Sequence, residues 1–324
     1  MSRLLIAPGQ LLLLFLVGFP ALVAIYVSLT NWSPTNGHAW YQAYRDVTSY
    51  GLNNYWNALR GSELWSAILR TVEVTVLAVG VEFVLGFALA LLFVREFRGR
   101  SLLTVVFLLP MMVVPAVTGF IFYMLFQTQG PVNAALNAVL HDFLHLTGTV
   151  QVPWLSDPSI ALFPVIMADI WQWTPLMFLI LLSGLVALPE DQMNQANILG
   201  ANFWFRLRYL ILPMMKPVIL IALIIRGMEV FKLFDSAWLL TQGGPGDATT
   251  TVSVMLYRET FINARWGYAS AVAILVLILV SIMAIRAIRP IEVAQEETLE
   301  DLLTAQTPVQ APEVGKAIEA EAVA

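Results

Sequence analysis

Six apolar runs recur along the chain, at 11–29, 64–93, 102–126, 160–185, 217–240 and 268–288, with shorter polar stretches between them. A helix needs about 17 to 25 such residues to cross a bilayer. The pattern therefore predicts an all-α polytopic membrane protein with six transmembrane helices. The second run is interrupted by Arg70, Glu73 and Glu82, and the fifth by several charges. The first run sits behind Arg3 as a signal peptide would. No small-residue cleavage site follows it, however, and Asn31-Trp32-Ser33-Pro34 reads as the interfacial exit of a retained helix.

The polar stretch from Pro189 to Pro217 has a pattern of its own. Glu190 and Asp191 follow Pro189, where carboxylates favour the positive end of a helix dipole. Gly200 can adopt the left-handed conformation that closes a short helix and reverses the chain. Phe203, Trp204, Leu207, Leu210 and Ile211 then recur at helical spacing with Arg206 and Arg208 between them, so a second helix is expected along the membrane surface before Pro213. Such a hairpin is a knob for a partner protein; the alternative is an ordinary interfacial loop.

Composition agrees with a membrane protein. Hydrophobic residues make up 59% of the chain and charged residues 12%, against roughly 25% charged in soluble domains; mean hydropathy is +0.76. Basic residues set the expected orientation. Arg95, Arg98 and Arg100 follow the second run, Arg206, Arg208 and Lys216 the fourth, and Arg286 and Arg289 the sixth, so these stretches and both termini belong in the cytoplasm. Arg45, Arg60, Arg258 and Arg265 fall on the outside, in longer stretches. There is no cysteine, and His38, His141 and His145 make no convincing metal set, so no metal site is expected.

From residue 291 onward the chain changes character. This tail holds eight acidic residues against Lys316 alone, with Pro308 and Pro312, and its net charge of −7 leaves +2 for the membrane body out of a total of −5. It is expected to be a cytoplasmic, disordered segment apart from a short helix around 296–303. Residues 1–290 are expected to form the transmembrane domain.

Five motifs carry a resemblance. Ala196-Asn197-Ile198-Leu199-Gly200-Ala201, with Pro213 thirteen residues after Gly200, resembles the coupling loop of ATP-binding-cassette importer permeases. Gly51-Leu52-Asn53-Asn54-Tyr55, Trp154-Leu155, Trp171 to Pro175, and Phe234-Asp235 followed by Leu240-Thr241-Gln242-Gly243-Gly244-Pro245 resemble the carbohydrate-uptake branch, in particular its maltose-type large permease subunit. The resemblance covers roughly residues 5–289. It implies a type I importer permease fold with a cytoplasmic coupling helix at about 189–213. It also implies a bacterial-type inner-membrane location, a second permease subunit in a heterodimer, two copies of a cytoplasmic ATPase and an external binding protein delivering a small solute. Lipid is a further partner and nucleic acid is not. The chain has no Gly-x-x-x-x-Gly-Lys-Ser/Thr loop. It is accordingly expected to be no enzyme and to hold no cofactor, with ATP and Mg on the ATPase.

The coupling residues implied are Asn194, Gln195, Ala196, Leu199, Gly200 and Ala201. Asn194 stands where the family has Glu, Gln195 where it has Ala, and Leu199 where it has Asp. An amide binds a basic partner more weakly than a carboxylate does, so an asymmetric transporter whose other permease carries the standard loop is expected.

For the solute, the informative residues are polar ones that lipid should exclude. Arg226, Glu229, Lys232 and Asp235 are spaced three apart on the fifth helix. Each costs about 2.5–3.5 kcal/mol at the bilayer centre unless it pairs or lines water, so either a structural ladder or a solute site is indicated. Asp169, Trp171, Gln172, Trp173 and Pro175 lie on the fourth helix, where aromatic faces beside carboxylate and amide groups suit a sugar. The resemblance puts solute contacts near Asp169, Gln172, Trp173, Glu229 and Leu233, with Arg226 beside them. Glu73 and Glu82 on the second helix are less persuasive as solute groups, and Arg70 with Glu73 reads as a structural pair. An ion-coupled secondary transporter, using the intramembrane charges as a relay, is the alternative function. The solute itself is open among sugars, polyols and glycerol phosphates.

Overall fold

The structure is a computed structural model that describes residues 2–37, 39–42, 50–140 and 149–306. Arg45, the three histidines and residues 307–324 lie outside the described residues. Regular secondary structure among the described residues is helical throughout. The chain forms two units, Met1–Ile282 and Met283–Ala324.

In the first unit, α1 (Ser2–Leu13) and α2 (Phe19–Ser28) are joined by a π-turn at Leu14–Gly18 and supply the first span. The wider turn accommodates Pro20, which has no N–H to donate. Next come α3 (Asn53–Arg60) and α4 (Ser62–Phe93). The side-chain amide of Asn54 donates to the Ser28 and Thr30 carbonyls at 2.8 Å each, and the Tyr55 hydroxyl lies 2.6 Å from that of Ser28. The Asn-Tyr signature therefore ties α3 to the exit of the first span. Its 32 proline-free residues give α4 a length of about 48 Å, more than the roughly 30 Å of a hydrocarbon layer.

The third run is not one helix. α5 (Arg100–Leu108) and a 3₁₀ turn at Pro110–Met112 are followed by α6 (Pro115–Leu125) at a bend of 92°. Pro115 forces Val114 into extended geometry (φ −62°, ψ 134°), which the helix cannot pass, and then starts α6 itself. After α7 (Pro131–Ala138) comes α8 (Leu162–Val186), which continues through Pro175. The Trp154 indole donates to Asn133 at 2.9 Å and rests against Phe126 and Phe163, a packing role for that motif.

α9 (Glu190–Ile198) and α10 (Phe203–Arg206) form the expected hairpin, but α10 is no separate surface helix. A π-turn at Leu207–Ile211 carries it into α11 (Leu212–Phe231), giving one 29-residue span, Phe203–Phe231. Pro213 falls in the first turn of α11, where the wider turn removes the clash that would have ended the helix. The fifth span also stops short of the expected 217–240. It ends at Phe231, and α12 (Asp235–Thr241) starts after a three-residue break. α13 (Val252–Tyr257) leads through another π-turn to α14 (Trp266–Gln306). Residues 291–306, where a short helix is expected at 296–303, belong to the helix Trp266–Gln306.

Apolar packing joins these pieces. Val74, Ala78 and Phe87 of α4 meet Met177, Phe178 and Leu181 of α8 and Met215 and Ala222 of α11. A second cluster joins Phe122 of α6, Val165 and Ala168 of α8, and Ala237 and Leu240 of α12. Helices in lipid associate through close van der Waals fit. At Gly119 the fit is extreme, because a Cβ there would stand 2.9 Å from the Ser236 Cα. α6, the second half of the broken third run, and α12, the short helix after the fifth span, are thus pressed backbone to backbone.

Candidate functional site

Both helix breaks open onto one cavity. It measures about 200 Å³ and is lined by Pro115 at the first break, by Lys232, Leu233 and Phe234 at the second, and by side chains of α8, α11 and α12. Irregular backbone inside a membrane is tolerated where protein or water meets its polar groups, and here both breaks are served. The Gln172 amide donates to the Val113 carbonyl at 2.6 Å, and the Thr251 hydroxyl to the Leu233 carbonyl at 3.2 Å.

Arg226 forms the floor. Its Nε and Nη2 donate to the two Glu82 carboxylate oxygens at 2.8 and 2.9 Å, Nη2 donates to Asp169 at 2.9 Å, and Nη1 to Glu229 at 3.3 Å. Four of its five N–H groups are thereby used, and the guanidinium lies 5.0 Å from the centre of the Trp173 ring. Glu82, Asp169 and Arg226 are 0, 2 and 1% exposed. A buried guanidinium in a bidentate grip is the geometry that Arg, unlike Lys, supplies. Three helices, α4, α8 and α11, are joined by this one side chain.

All six residues selected from sequence, Asp169, Gln172, Trp173, Arg226, Glu229 and Leu233, line the cavity. They do so in different ways. Asp169 and Arg226 face each other, the Gln172 nitrogen is held by backbone, and Glu229 is 44% exposed. The expected ladder of Arg226, Glu229, Lys232 and Asp235 is cut by the break after Phe231. Only its first two members pair along the helix. Glu82 is the residue that sequence reasoning missed; its partner is 144 positions away. Arg70 and Glu73 do pair, at 3.2 Å on an exposed face. Trp171 packs against Phe122 at 5.8 Å between ring centres.

Two larger cavities, about 270 and 610 Å³, lie at the N-terminal ends of α4 and α14 and share Ser62, Glu63, Asn263 and Arg265. Size favours them as ligand sites; chemistry favours the smaller one, where buried charges and interrupted helices meet. Glu259, 8% exposed, is satisfied by Arg265 at 2.5 Å and Asn263 at 2.8 Å, a closed arrangement.

The hairpin is a second candidate surface. The N–H groups of Gly200 and Ala201 donate back to the Asn197 and Ala196 carbonyls at 3.0 and 2.9 Å, with Gly200 at φ +77°, a Schellman closure of α9. The Asn202 side chain then caps α10 through the Phe205 N–H at 2.8 Å. Arg206 donates across to Asn197, locking the two helices together. At the tip Ile198 and Leu199 are 84 and 85% exposed and Trp204 is 73% exposed. Asn194 and Gln195 are exposed, Ala201 is partly buried and Ala196 is buried.

Comparison with known proteins places these features. Residues 82–290 match the family model for the binding-protein-dependent transport system inner membrane component. The chain is similar to the trehalose/maltose transport system permease MalF of Thermococcus litoralis, 32% identical over 82% of this chain and 89% of that one. It is likewise similar to the trehalose transport system permease SugA of Mycobacterium tuberculosis, 33% identical over 88% and 86%, and to a probable ABC transporter permease of Sinorhizobium fredii, 38% identical over 82% of each. A solved bacterial alginate ABC transporter, in complex with an alginate pentasaccharide-bound periplasmic protein, contains a chain of the same fold. Its TM-score is 0.72 at 18% identity, covering 88% of this chain and 92% of that one.

Proposed function

The chain belongs to the family of binding-protein-dependent transport system inner membrane components, and on that premise we propose that it is a permease subunit of an ATP-driven importer for a sugar or sugar-like solute. Relatives named for trehalose and maltose support the solute class. Membership of this family displaces the ion-coupled alternative, and so does the pairing of Glu82, Asp169 and Arg226 with one another rather than along a relay.

The observation that carries the mechanism is a continuous helical segment, Phe203–Phe231, with the hairpin at its start and the cavity at its end. From Phe203 to Arg226 is about 35 Å of helix. A cytoplasmic ATPase dimer grips the hairpin through Ile198, Leu199 and Trp204, with Asn194 and Gln195 alongside. ATP and Mg reside on that partner and supply the hydrolysis that moves the hairpin. This chain's own contribution is to carry the displacement along α11 to the cavity, where Glu229 and Trp173 hold the solute above the buried Asp169–Arg226 pair. A second permease subunit completes the pathway, and an external binding protein loads it. Arg95, Arg98, Arg206 and Arg208 support a cytoplasmic hairpin and cytoplasmic termini.

The test is co-purification of the chain with the proteins encoded beside it, followed by ATPase measurement with and without sugars and the candidate binding protein. Sugar-stimulated hydrolysis is expected, and Gly200→Val should abolish the stimulation. At φ +77° a β-branched residue is strained by about 1–2 kcal/mol. Recovery of no ATPase, together with uptake driven by an ion gradient, would overturn the reading.

A further inference from the structure

We propose that the cavity at the two helix breaks selects neutral, polyhydroxylated solutes against anionic ones, with Asp235 and Glu229 as the discriminating groups; this rests on the sugar-import reading above. Three observations lead there.

The first concerns the cations. Arg226 looks suited to a phosphate or carboxylate, but it has already given four N–H groups to three carboxylates, and Trp173 covers one face. An incoming anion finds one N–H left, on Nη1, where it must share the guanidinium with the Glu229 carboxylate; to gain a second it would have to displace Glu82 or Asp169 and leave it buried without a partner, which is strongly unfavourable. Lys232 remains. It is exposed to the cavity and makes no ion pair among the described residues.

The second concerns the carboxylates. Asp169, Glu229 and Asp235 line the cavity against two cations, and Glu82 stands directly behind. Asp235 is exposed and, like Lys232, has no side-chain partner among the described residues. The local formal charge is therefore negative. Carboxylates accept hydrogen bonds from sugar hydroxyls, and they repel a phosphate or uronate.

The third concerns the helix ends. α6 and α12 both start at the cavity, and a helix start ordinarily favours an anion. Asp235 opens α12 and so supplies that negative charge itself; Pro115 opens α6 and has no N–H to offer. Trp173 and Phe234 complete the lining with aromatic faces suited to sugar C–H groups.

The test uses the full chain with its partner subunits in lipid nanodiscs, without the binding protein, so that discrimination reads the membrane site. Equilibrium binding of labelled trehalose and of trehalose 6-phosphate is compared. The phosphorylated sugar should bind at least about tenfold more weakly, a difference of roughly 1.4 kcal/mol or more. Asp235→Lys should reverse or erase that preference. Asp235→Asn, the milder change, should reduce it by about threefold or more while weakening trehalose. Melting of each purified variant confirms that the bundle is intact. Equal or tighter binding of trehalose 6-phosphate by the unaltered protein, or a preference untouched in both Asp235 variants, would overturn the selection. Binding of neither sugar, nor of maltose, by a complex that retains its ATPase would instead overturn the sugar reading, and the inference with it.

Discussion

The floor of the cavity and the tip of the hairpin invert the usual placement of side chains. At the floor Glu82, Asp169 and Arg226 are charged and buried within a membrane span; at the tip Ile198, Leu199 and Trp204 are apolar and exposed. The floor is complete, since each charge has its partners inside the chain. The tip is incomplete, since its backbone is fully arranged by the Schellman turn and the Asn202 cap while its apolar groups touch water. A closed polar group serves the chain's own integrity. An ordered but uncovered apolar group serves a partner.

The contrast predicts where substitutions act. The largest effect is expected from Arg226→Leu, which strands two buried carboxylates and should cost about 3–5 kcal/mol; a sharp fall in the melting temperature of the purified chain is the measurement. An unchanged melting temperature would mean that the floor is not structural. Leu199→Lys should leave melting unaltered yet remove ATPase co-purification, since the interface loses an apolar contact and gains a cation where the family carries a carboxylate. Loss of melting stability there would place the tip among the fold's own supports. Arg70→Ala removes an exposed pair and should shift stability by less than about 0.5 kcal/mol, readable by chemical denaturation. Least of all, Asn194→Glu is expected to leave transport intact. If that change abolished uptake while assembly persisted, the ATPase would have to be adapted to the amide.

Much of the architecture is legible from local spacing, and the parts that are not depend on partners far along the chain. Gly200 with its flanking helices could be read because a left-handed turn has a chemical signature in a few residues. The break at Val114-Pro115 also had one, the pre-proline restriction, but the apolar run continued across it and hid the bend. The break at Lys232 had neither proline nor glycine at its centre, so the helix was carried through to residue 240. Glu82 was passed over because the nearby Arg70 and Glu73 suggested local pairing, whereas its partner lies on α11. Gln172 was legible as a polar residue in an apolar helix. Its use, holding the Val113 carbonyl, was not. The cavity's composition was visible in the sequence; which of its groups are free was not.

Arg226 also constrains the kinematics. α4, α8 and α11 cannot slip past one another by one helical turn, about 5.4 Å, without parting the guanidinium from Glu82 or Asp169, so they travel as a single block. Any alternation between outward and inward access must then shear along surfaces without such a pin. The contact of α6 and α12 with α8 is one of them: aromatic and aliphatic side chains meet there, no ion pair among the described residues holds the registry, and the hydrogen bond from Gln172 to Val113, just ahead of α6, is the polar tie to be broken.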